Sequence, residues 1–281
     1  FSNILLIKSY LINANLPKSS KRIFPILKSL NKFLLNKFHK IYPVSEEMGN
    51  RIKKYLNDKS KIQVLSDTRF DQIKYRQNNK NTNISLPENF KKTKNILFGS
   101  IENKELPIII DALSKFKKNF KTNNVNLIFV PHEPEENILI NLESQLKELD
   151  IIPTRYNNMI NTNYKNDYNA LLIDRTGILA DLYKYSSISY IGCGFSKGVH
   201  NVAEPAIYGN TICFGPRYHI LNEAIEMIQE NIAYCIESSE QLLAVLSIIL
   251  NDKKLDDNRK KVENYIKTKF DSTDYMINEI F

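Results

Sequence analysis

The stretch that decides the fold covers residues 187–216 and reads SISYIGCGFSKGVHNVAEPAIYGNTICFGP. It starts with an apolar run of strand length, passes through a glycine-rich loop into a helical pattern, and ends in a second apolar run. Six of the eight glycines of the chain lie between residues 177 and 215. Glycine is used where backbone turns with positive φ or approaches another group closely, so this region is the first place to expect a site.

The same alternation of strand and helix extends along the rest of the chain. It predicts an α/β fold, a Rossmann-like parallel sheet with helices on both faces, in which ligands bind beyond the carboxyl ends of the strands. Strands are predicted at residues 4–12, 40–44, 62–65, 95–98, 126–130, 170–173, 188–191, 211–214 and 233–236. Helices are predicted at 21–38, after the N-cap Ser45, at 106–120, 136–149, 178–185, 202–208, 221–229 and 239–250, and from 255 onward. The polar segment 75–93 is predicted to be a surface loop.

Composition excludes several classes of protein. The 281 residues are 42% hydrophobic and 25% charged, which is typical of a globular protein and unlike collagen or a disordered chain. The three cysteines form no CxxC pair, so neither a disulfide framework nor a structural zinc site is indicated, and a reducing compartment is expected. No apolar run approaches the roughly 18 residues of a membrane span.

The formal net charge of +8 hides an asymmetry between the two parts of the chain. Residues 1–125 carry 25 Lys and Arg against 9 Asp and Glu, whereas residues 126–281 carry 14 against 22. A basic front half indicates an anionic partner, such as a phospholipid surface or a phosphorylated substrate. A lysine-rich composition that loads an ordinary solvated surface explains the same numbers equally well.

The loop and helix after residue 191 carry groups suited to an anion. Asn201 is a suitable N-cap for the helix predicted at 202–208, and the amides of a first helical turn attract phosphate. Glu204 in that turn either accepts hydrogen bonds from sugar hydroxyls or offsets the helix dipole at the surface. Arg217 either neutralises phosphate or is solvated. The candidate phosphate loop comprises Gly194, Lys197, Gly198, His200 and Arg217.

Six segments carry a family resemblance: LINANL at 11–16, LSDTRFD at 65–71, VPHEP at 130–134, DRTG at 174–177, the run at 192–206 with HNVAEP at 200–205, and FGP at 214–216. In order and spacing they resemble motifs of bacterial 3-deoxy-D-manno-octulosonic acid (Kdo) transferases. The resemblance implies the GT-B architecture, in which two Rossmann-like domains face a cleft. It implies that residues 1–59 are the C-terminal part of the N-terminal acceptor domain, that 60–265 form the donor domain, and that 266–281 form a helix packing back on the first domain.

The implied activity is inverting, metal-independent transfer of Kdo from CMP-Kdo to a lipid A precursor in lipopolysaccharide biosynthesis, with no cofactor. The family's CMP contacts map onto Pro131, His132, Thr176, Gly177, Ile178, Asn201, Val202, Ala203 and Glu204. His132 stands where the family commonly has Arg, and Ile178 where it has an acidic residue. The chain is expected to be N-terminally truncated and to lack the region that holds the family's general base, so no catalytic residue is assigned.

The resemblance further implies a protein on the cytoplasmic face of the bacterial inner membrane, peripheral or anchored through a missing N-terminus. Lys28, Lys32, Lys37 and Lys40 are candidates for attraction to an anionic membrane surface. Nucleic acid is not expected as a partner, because basic and aromatic residues are not interleaved on a strand. Two alternatives stay open: another GT-B enzyme that uses a UDP-sugar, as transferase or epimerase, and a non-catalytic fragment whose basic half binds membrane.

Overall fold

A computed structural model describes residues 7–16, 25–79, 84–161 and 169–281. The chain divides into two compact units, Phe1–Asn78 with Lys267–Phe281 (unit 1) and Asn79–Ile266 (unit 2). The first boundary thus lies later than the one expected between residues 59 and 60. The reason is that the amides of Gln63 and Leu65 donate to backbone carbonyls of Ile41 and Pro43 in unit 1, at 3.1 and 3.0 Å. None of the helices in the described ranges is long and apolar enough to cross a membrane.

Unit 1 is built around two short parallel strands, β1 (Tyr10–Ala14) and β2 (Lys40–Pro43). Its helices are α1 (Pro25–Leu35), α2 (Glu46–Lys53), α3 (Arg69–Asn79) and α14 (Ser272–Ile280). The predicted cap at Ser45 is confirmed, since its hydroxyl accepts from the Met48 amide at 3.3 Å. Apolar side chains from the strands and helices form a small core that includes Ile41, Ile52 and Leu56.

Helix α14 is tied to the rest of unit 1 by polar contacts at both ends. The Asp71 carboxylate accepts from the amides of Asp271 and Thr273, each at 2.7 Å, which satisfies two otherwise unpaired donors at the start of the helix. Near the other end, Glu279 pairs with Lys40 and accepts from the Tyr42 hydroxyl at 3.0 Å. The last residues of the chain therefore belong to unit 1 through specific bonds.

Unit 2 is a seven-stranded sheet, and every neighbouring pair in it is parallel. The strand order is β5-β6-β4-β3-β7-β8-β9. The strands are β3 (Lys94–Ile101), β4 (Val125–Pro131), β5 (Pro153–Arg155), β6 (Ala170–Leu172), β7 (Ile188–Ile191), β8 (Thr211–Phe214) and β9 (Ala233–Cys235). The order is that of a doubly wound sheet whose chain reverses direction across the sheet between β3 and β7, the place where such folds bind ligands. The predicted fold class is confirmed.

The helices of unit 2 are α4 (Glu88–Lys92), α5 (Leu106–Phe116), α6 (Lys118–Thr122), α7 (Glu136–Glu148), α8 (Tyr156–Asn161), α9 (Leu179–Leu182), α10 (Ala203–Ala206), α11 (Asn222–Gln229), α12 (Ser239–Leu246) and α13 (Asp252–Lys267). The core lies where α5 and α12 cover the central strands, and Phe98 and Phe129 stack at its centre with ring centroids 4.9 Å apart. Apolar burial of this extent is the main stabilising contribution to such a fold.

The structure differs from the predicted elements in several places, including one strand that was not predicted. Residues 62–65 form an isolated bridge from Ile62 to Ile41 instead of a strand. Strand β5 was missed because it is three residues long and starts with proline. The helix predicted at 202–208 is a single turn, Ala203–Ala206. The predictions over residues 4–6 and 21–24 lie outside the described residues, and the predicted loop at 75–93 contains the end of α3 and the whole of α4.

Candidate functional site

The candidate site residues follow the carboxyl ends of β4, β6, β7 and β8, which flank the central strand β3. Pro131 ends β4 and is buried, and the amide of the next residue, His132, donates to the Ile101 carbonyl at 2.9 Å. Because all strands are parallel, the turns after them meet at one edge. The sheet order thus brings sequence-distant turns to the same edge of unit 2.

Glycine allows the loop after β7 to pass unusually close to its neighbours. A Cβ on Gly192 would lie 2.5 Å from the Ser100 carbonyl carbon, and a Cβ on Gly194 would lie 2.5 Å from the Gly215 nitrogen. Real Cβ atoms essentially never approach other atoms within 3.0 Å. The glycine cluster in the sequence is therefore explained by contact between the loops after β3, β7 and β8.

Glu105, which precedes α5, links the loops after β3 and β7 by hydrogen bonds. Sequence reasoning did not identify it. Its carboxylate accepts from the Gly194 amide at 3.1 Å, the Tyr190 hydroxyl at 3.1 Å and the Glu102 amide at 2.9 Å. Burial raises the pKa of Glu105 even though these donors favour the charged form. The available signal was Pro107, which marks a helix start and places the preceding acids at a strand end.

Arg217 fastens the candidate phosphate loop instead of standing free in solvent. Its amide donates to the Gly194 carbonyl at 2.9 Å, its carbonyl accepts from the Val199 amide at 3.1 Å, and its guanidinium donates to the Ser196 carbonyl. The sequence predicted that Arg217 either neutralises phosphate or is solvated, and neither prediction included this role in holding the loop. Lys197 is exposed in the same loop, and Gly198 has a φ of 119°, which permits the turn.

The turn of helix after this loop is shorter than expected. The N-cap is Val202, one residue after the predicted Asn201, and the Asn201 side-chain oxygen accepts from the Ala203 amide at 2.9 Å. That bond uses one of the amides expected to face an anion, and one helical turn has only a small dipole. Val202 and Ala203 are buried, so only their backbone is suited to contact a ligand. The expected anion site at a full helix N-terminus is corrected to a capped single turn.

Glu204 is half-buried and lies near the hydroxyl of Tyr183. Burial raises the pKa of Tyr183, and the Glu204 carboxylate adds to this effect. The Tyr183 oxygen would lie 2.8 Å from a Cβ on Gly99 of β3. Glu204 is thus not an isolated surface acid, because its charge acts on a buried tyrosine whose hydroxyl lies close to Gly99 of the central strand.

The turn after β6 contributes Thr176, Gly177 and Ile178. Thr176 and Gly177 are exposed, Gly177 has a φ of 86° with open space around it, and Ile178 precedes the first turn of α9. Asp174 accepts from the Asn157 amide at 3.0 Å, which fixes the start of the turn. The three residues share the sheet edge with the other candidates.

His132, Cys193 and His200 form a cluster at this edge. The two imidazole rings have centroids 4.8 Å apart, and partial loss of solvent around the ring, together with the neighbouring His132, lowers the pKa of His200. Burial, with the nearby carboxylates of Glu102 and Glu105, raises the pKa of Cys193 to about 12. The thiol is therefore protonated at neutral pH and unsuited to act as a nucleophile. The hydroxyl of Ser196 donates to Glu102, which lowers the pKa of that carboxyl.

Comparison with known proteins shows what this chain is similar to. Residues 5–72 match the family model of 3-deoxy-D-manno-octulosonic-acid transferase. A bifunctional glycosyltransferase/methyltransferase of Fusobacterium nucleatum is 26% identical over 265 residues, which cover 91% of this chain and 38% of that protein. Kdo transferases of Aquifex aeolicus and Rickettsia bellii are 28% and 26% identical, over 57% and 91% of this chain and 42% and 58% of their own length.

The chain is thus similar to Kdo transferases in sequence. The chain spans between 38% and 58% of the length of those three relatives. The C-terminal CMP-Kdo binding domain of WaaA from Acinetobacter baumannii matches with a TM-score of 0.53 and 17% identity, over 69% of this chain and 96% of that domain. A UDP-N-acetylglucosamine 2-epimerase matches with a TM-score of 0.62 and 13% identity, over 94% and 62%. These likenesses show the GT-B type of fold.

Proposed function

We propose that this protein is a Kdo transferase, that it binds CMP-Kdo through unit 2, and that it takes part in transferring Kdo to a lipid A precursor in lipopolysaccharide biosynthesis. The observation that carries the proposal is the meeting of turns after β4, β6, β7 and β8 at one sheet edge, with the HNVAEP segment at its centre. The family match and the fold shared with a CMP-Kdo binding domain support this donor.

The phosphate of CMP is proposed to meet Lys197, His200 and His132. When the glycosidic bond of CMP-Kdo breaks, negative charge develops on that phosphate, and positive groups or donors placed there lower the barrier. Lys197 is exposed in the loop after β7, and the rings of His132 and His200, from the turns after β4 and β7, lie 4.8 Å apart. The helix turn is short, and Asn201 already accepts from one of its amides. These side chains, and not the helix dipole, are therefore proposed to stabilise most of the negative charge on the phosphate.

The ribose and base are proposed to contact Glu204, Pro131 and the turn at 176–178. Glu204 is the one carboxylate in the HNVAEP segment, and a carboxylate accepts well from a pair of ribose hydroxyls. Asn201, Val202 and Ala203 would contact the nucleotide through backbone groups. Gly177, with open space around it, allows close approach of the base.

Titration calorimetry with CMP tests the donor. Glu204→Ala is expected to weaken CMP binding by about 10- to 100-fold, the effect of losing about 1.5 to 3 kcal/mol of charge-assisted hydrogen bonding. Glu148→Ala is the matched control, because Glu148 is exposed at the end of α7 and should leave CMP affinity unchanged. Tighter binding of UDP than of CMP would favour a UDP-sugar enzyme, and a folded chain that binds neither nucleotide would refute the proposal.

A lipid acceptor and a peripheral position on the cytoplasmic face of the inner membrane are proposed from unit 1. Helix α1 exposes Leu30, Phe33 and Leu34, with exposed fractions of 51%, 61% and 48%, next to exposed lysines at 28, 32 and 37. An apolar face bordered by basic residues is suited to the boundary between lipid headgroups and acyl chains. A groove of about 590 Å³ runs along the same helix and is lined by Leu27, Leu30, Leu34 and Leu35 among others.

Lys40 is removed from the set of membrane candidates, because it is paired with Glu279. The membrane proposal is tested by sedimentation with anionic vesicles at low and high salt. Substituting Phe33 and Leu34 by Ser is expected to reduce binding at both salt concentrations, whereas replacing Lys28 and Lys32 by Gln should reduce it mainly at low salt. Equal sedimentation of all variants would refute a role of α1.

A further inference from the structure

Two turns at the carboxyl edge of the unit 2 sheet place three metal-binding side chains together. His132 follows β4, and Cys193 and His200 lie in the loop after β7. Their ligand atoms all lie within 4.8 Å of one another. Within the described residues, no other group of three or more His, Cys, Asp and Glu side chains meets this criterion.

The separation is close to what a metal ion requires. A tetrahedral zinc ion with Zn–N of about 2.0 to 2.1 Å and Zn–S of about 2.3 Å holds its ligand atoms about 3.4 to 3.6 Å apart. Closing from 4.8 Å thus needs a movement on the order of 1 Å. His200 is exposed, so its ring is able to approach the other two ligand atoms by side-chain rotation, without displacing a strand.

The thiol of Cys193 is held in place by its backbone. Cys193 has a φ of 65°, a conformation that side-chain-bearing residues adopt at a cost of roughly 1 to 2 kcal/mol. Its carbonyl accepts from the amides of Ser196 and Gly198 at 3.1 and 3.0 Å, and its thiol lies 3.4 Å from the Ser100 carbonyl oxygen. A strained residue maintained by its surroundings is common at functional sites.

The charges around the cluster are mixed. The negative charge of the Glu102 carboxylate interacts with Cys193, His132 and His200 and therefore favours a bound cation. The positive charge of the exposed Lys197 opposes one. Binding of a metal to the thiol releases its proton to solvent, so the ion replaces a neutral S–H by a thiolate–metal bond. With one thiolate and two imidazoles, the donor set suits zinc and similar transition metals, whereas magnesium and calcium prefer oxygen.

We propose that His132, Cys193 and His200 form a binding site for Zn²⁺ or a chemically similar divalent transition metal. Three protein ligands leave the fourth tetrahedral position to water or a ligand atom, as in zinc sites that act on bound molecules. The site shares His132 and His200 with the proposed CMP site. Zinc binding is measured without nucleotide and CMP binding without metal, so that failure of either proposal is distinguishable from failure of the other.

The test uses the untagged full chain, first stripped of metal with a chelator. Zinc affinity is measured by competition with a chromophoric chelator, and Co²⁺ is added separately to record the absorption of its complex. One Zn²⁺ per chain is expected, with a thiolate-to-cobalt charge-transfer band in the near ultraviolet. Mg²⁺ at the same concentration should not compete, because it binds thiolate and imidazole poorly.

Single substitutions assign the ligands. Cys193→Ser should abolish the charge-transfer band, and His132→Ala and His200→Ala should each weaken zinc binding by at least about 100-fold, the upper end of the loss for residues that only orient a ligand. Cys235→Ser and His219→Ala are the matched controls and should bind zinc like the wild type, since neither residue belongs to the cluster.

Circular dichroism verifies that each variant is folded. If Cys193→Ser does not fold, the zinc affinity of His200→Ala still tests the proposal, because His200 is exposed and its substitution should leave the fold intact. An absent charge-transfer band in the wild type, or unchanged zinc affinity in His200→Ala, would overturn the proposal. Loss of binding in Cys235→Ser or His219→Ala would also overturn it, because the metal would then lie elsewhere.

Discussion

Gly192→Ala is expected to open the junction between β3 and β7. A Cβ at this position would lie 2.5 Å from the Ser100 carbonyl carbon and 2.8 Å from the Ile101 Cα, whereas ordinary contact begins at 3.4 Å. Both neighbours are backbone atoms of the central strand, so no side chain can rotate away. The loop must move outward, and the bond from the Gly192 amide to the Gly99 carbonyl, now 2.7 Å long, is then stretched or lost.

The expected cost follows from these two effects. Overpacking in a well-packed region costs about 1 to 3 kcal/mol, and a lost buried hydrogen bond adds about 1 kcal/mol. Gly192→Ala should therefore destabilise unit 2 by about 2 to 4 kcal/mol. Gly177→Ala is the matched control: it has a φ of 86° but nothing within 4 Å of its Cβ, so only backbone strain of about 1 kcal/mol applies.

Urea denaturation followed by circular dichroism measures both losses. Hydrogen exchange of peptides from β3 and β7 then locates the loss in the Gly192 variant, where these two strands should exchange faster than the rest of the sheet. A Gly192→Ala chain within about 0.5 kcal/mol of the wild type would refute the close-contact explanation, since surface substitutions commonly fall in that range. An equal loss of unfolding free energy in Gly177→Ala would mean that replacing any glycine has this effect, whether or not its Cβ meets a close contact.

Three further outcomes are expected. Burial raises the pKa of Glu105, so wild-type stability should fall as pH rises from about 4.3, the ordinary Glu value, to the raised folded value. In Glu105→Gln, the urea midpoint should no longer fall with pH over that interval. An unchanged slope of midpoint against pH would show that Glu105 is not the group responsible. Ser45→Ala should lower stability by about 1 kcal/mol in urea titrations, because the Met48 amide loses its acceptor. Arg217→Gln should speed hydrogen exchange at residues 194–199, since the bond to the Ser196 carbonyl is lost; unchanged exchange would exclude Arg217 as the fastening group.

The strands of the sheet could be predicted because burial on both faces leaves continuous apolar runs. Residues 188–191 and 211–214 were predicted with the bounds that the structure has. The same signal failed at 62–65, where an apolar run lies beside β2 and makes one bridge to Ile41. Local pattern indicates that a segment is apolar and extended, but whether it joins a ladder depends on a partner elsewhere in the chain.

The loops of the site could be located from glycine, but their bonds could not be read from the sequence. Glu105 reaches Gly194 across 89 positions of the chain, and Glu102 reaches Ser196 across 94. Such pairs form only because particular strands are neighbours in the sheet. The local sequence around Glu102 and Glu105 does not reveal which strands those are. The role of Arg217 was missed for a related reason, because its acceptor is a backbone carbonyl, which every residue has.

The cluster of His132, Cys193 and His200 shows how this limitation hides a metal site. Spacing rules such as CxxC describe ligands on one turn or helix, where the chain between them fixes their distance. Here two ligands lie in one loop and the third follows a strand on the other side of β3 in the sheet order. The absence of CxxC argues only against a structural zinc site of the local kind. It had no bearing on ligands that a parallel sheet assembles, so such sites must be sought among the turns at strand ends once the strand order is known.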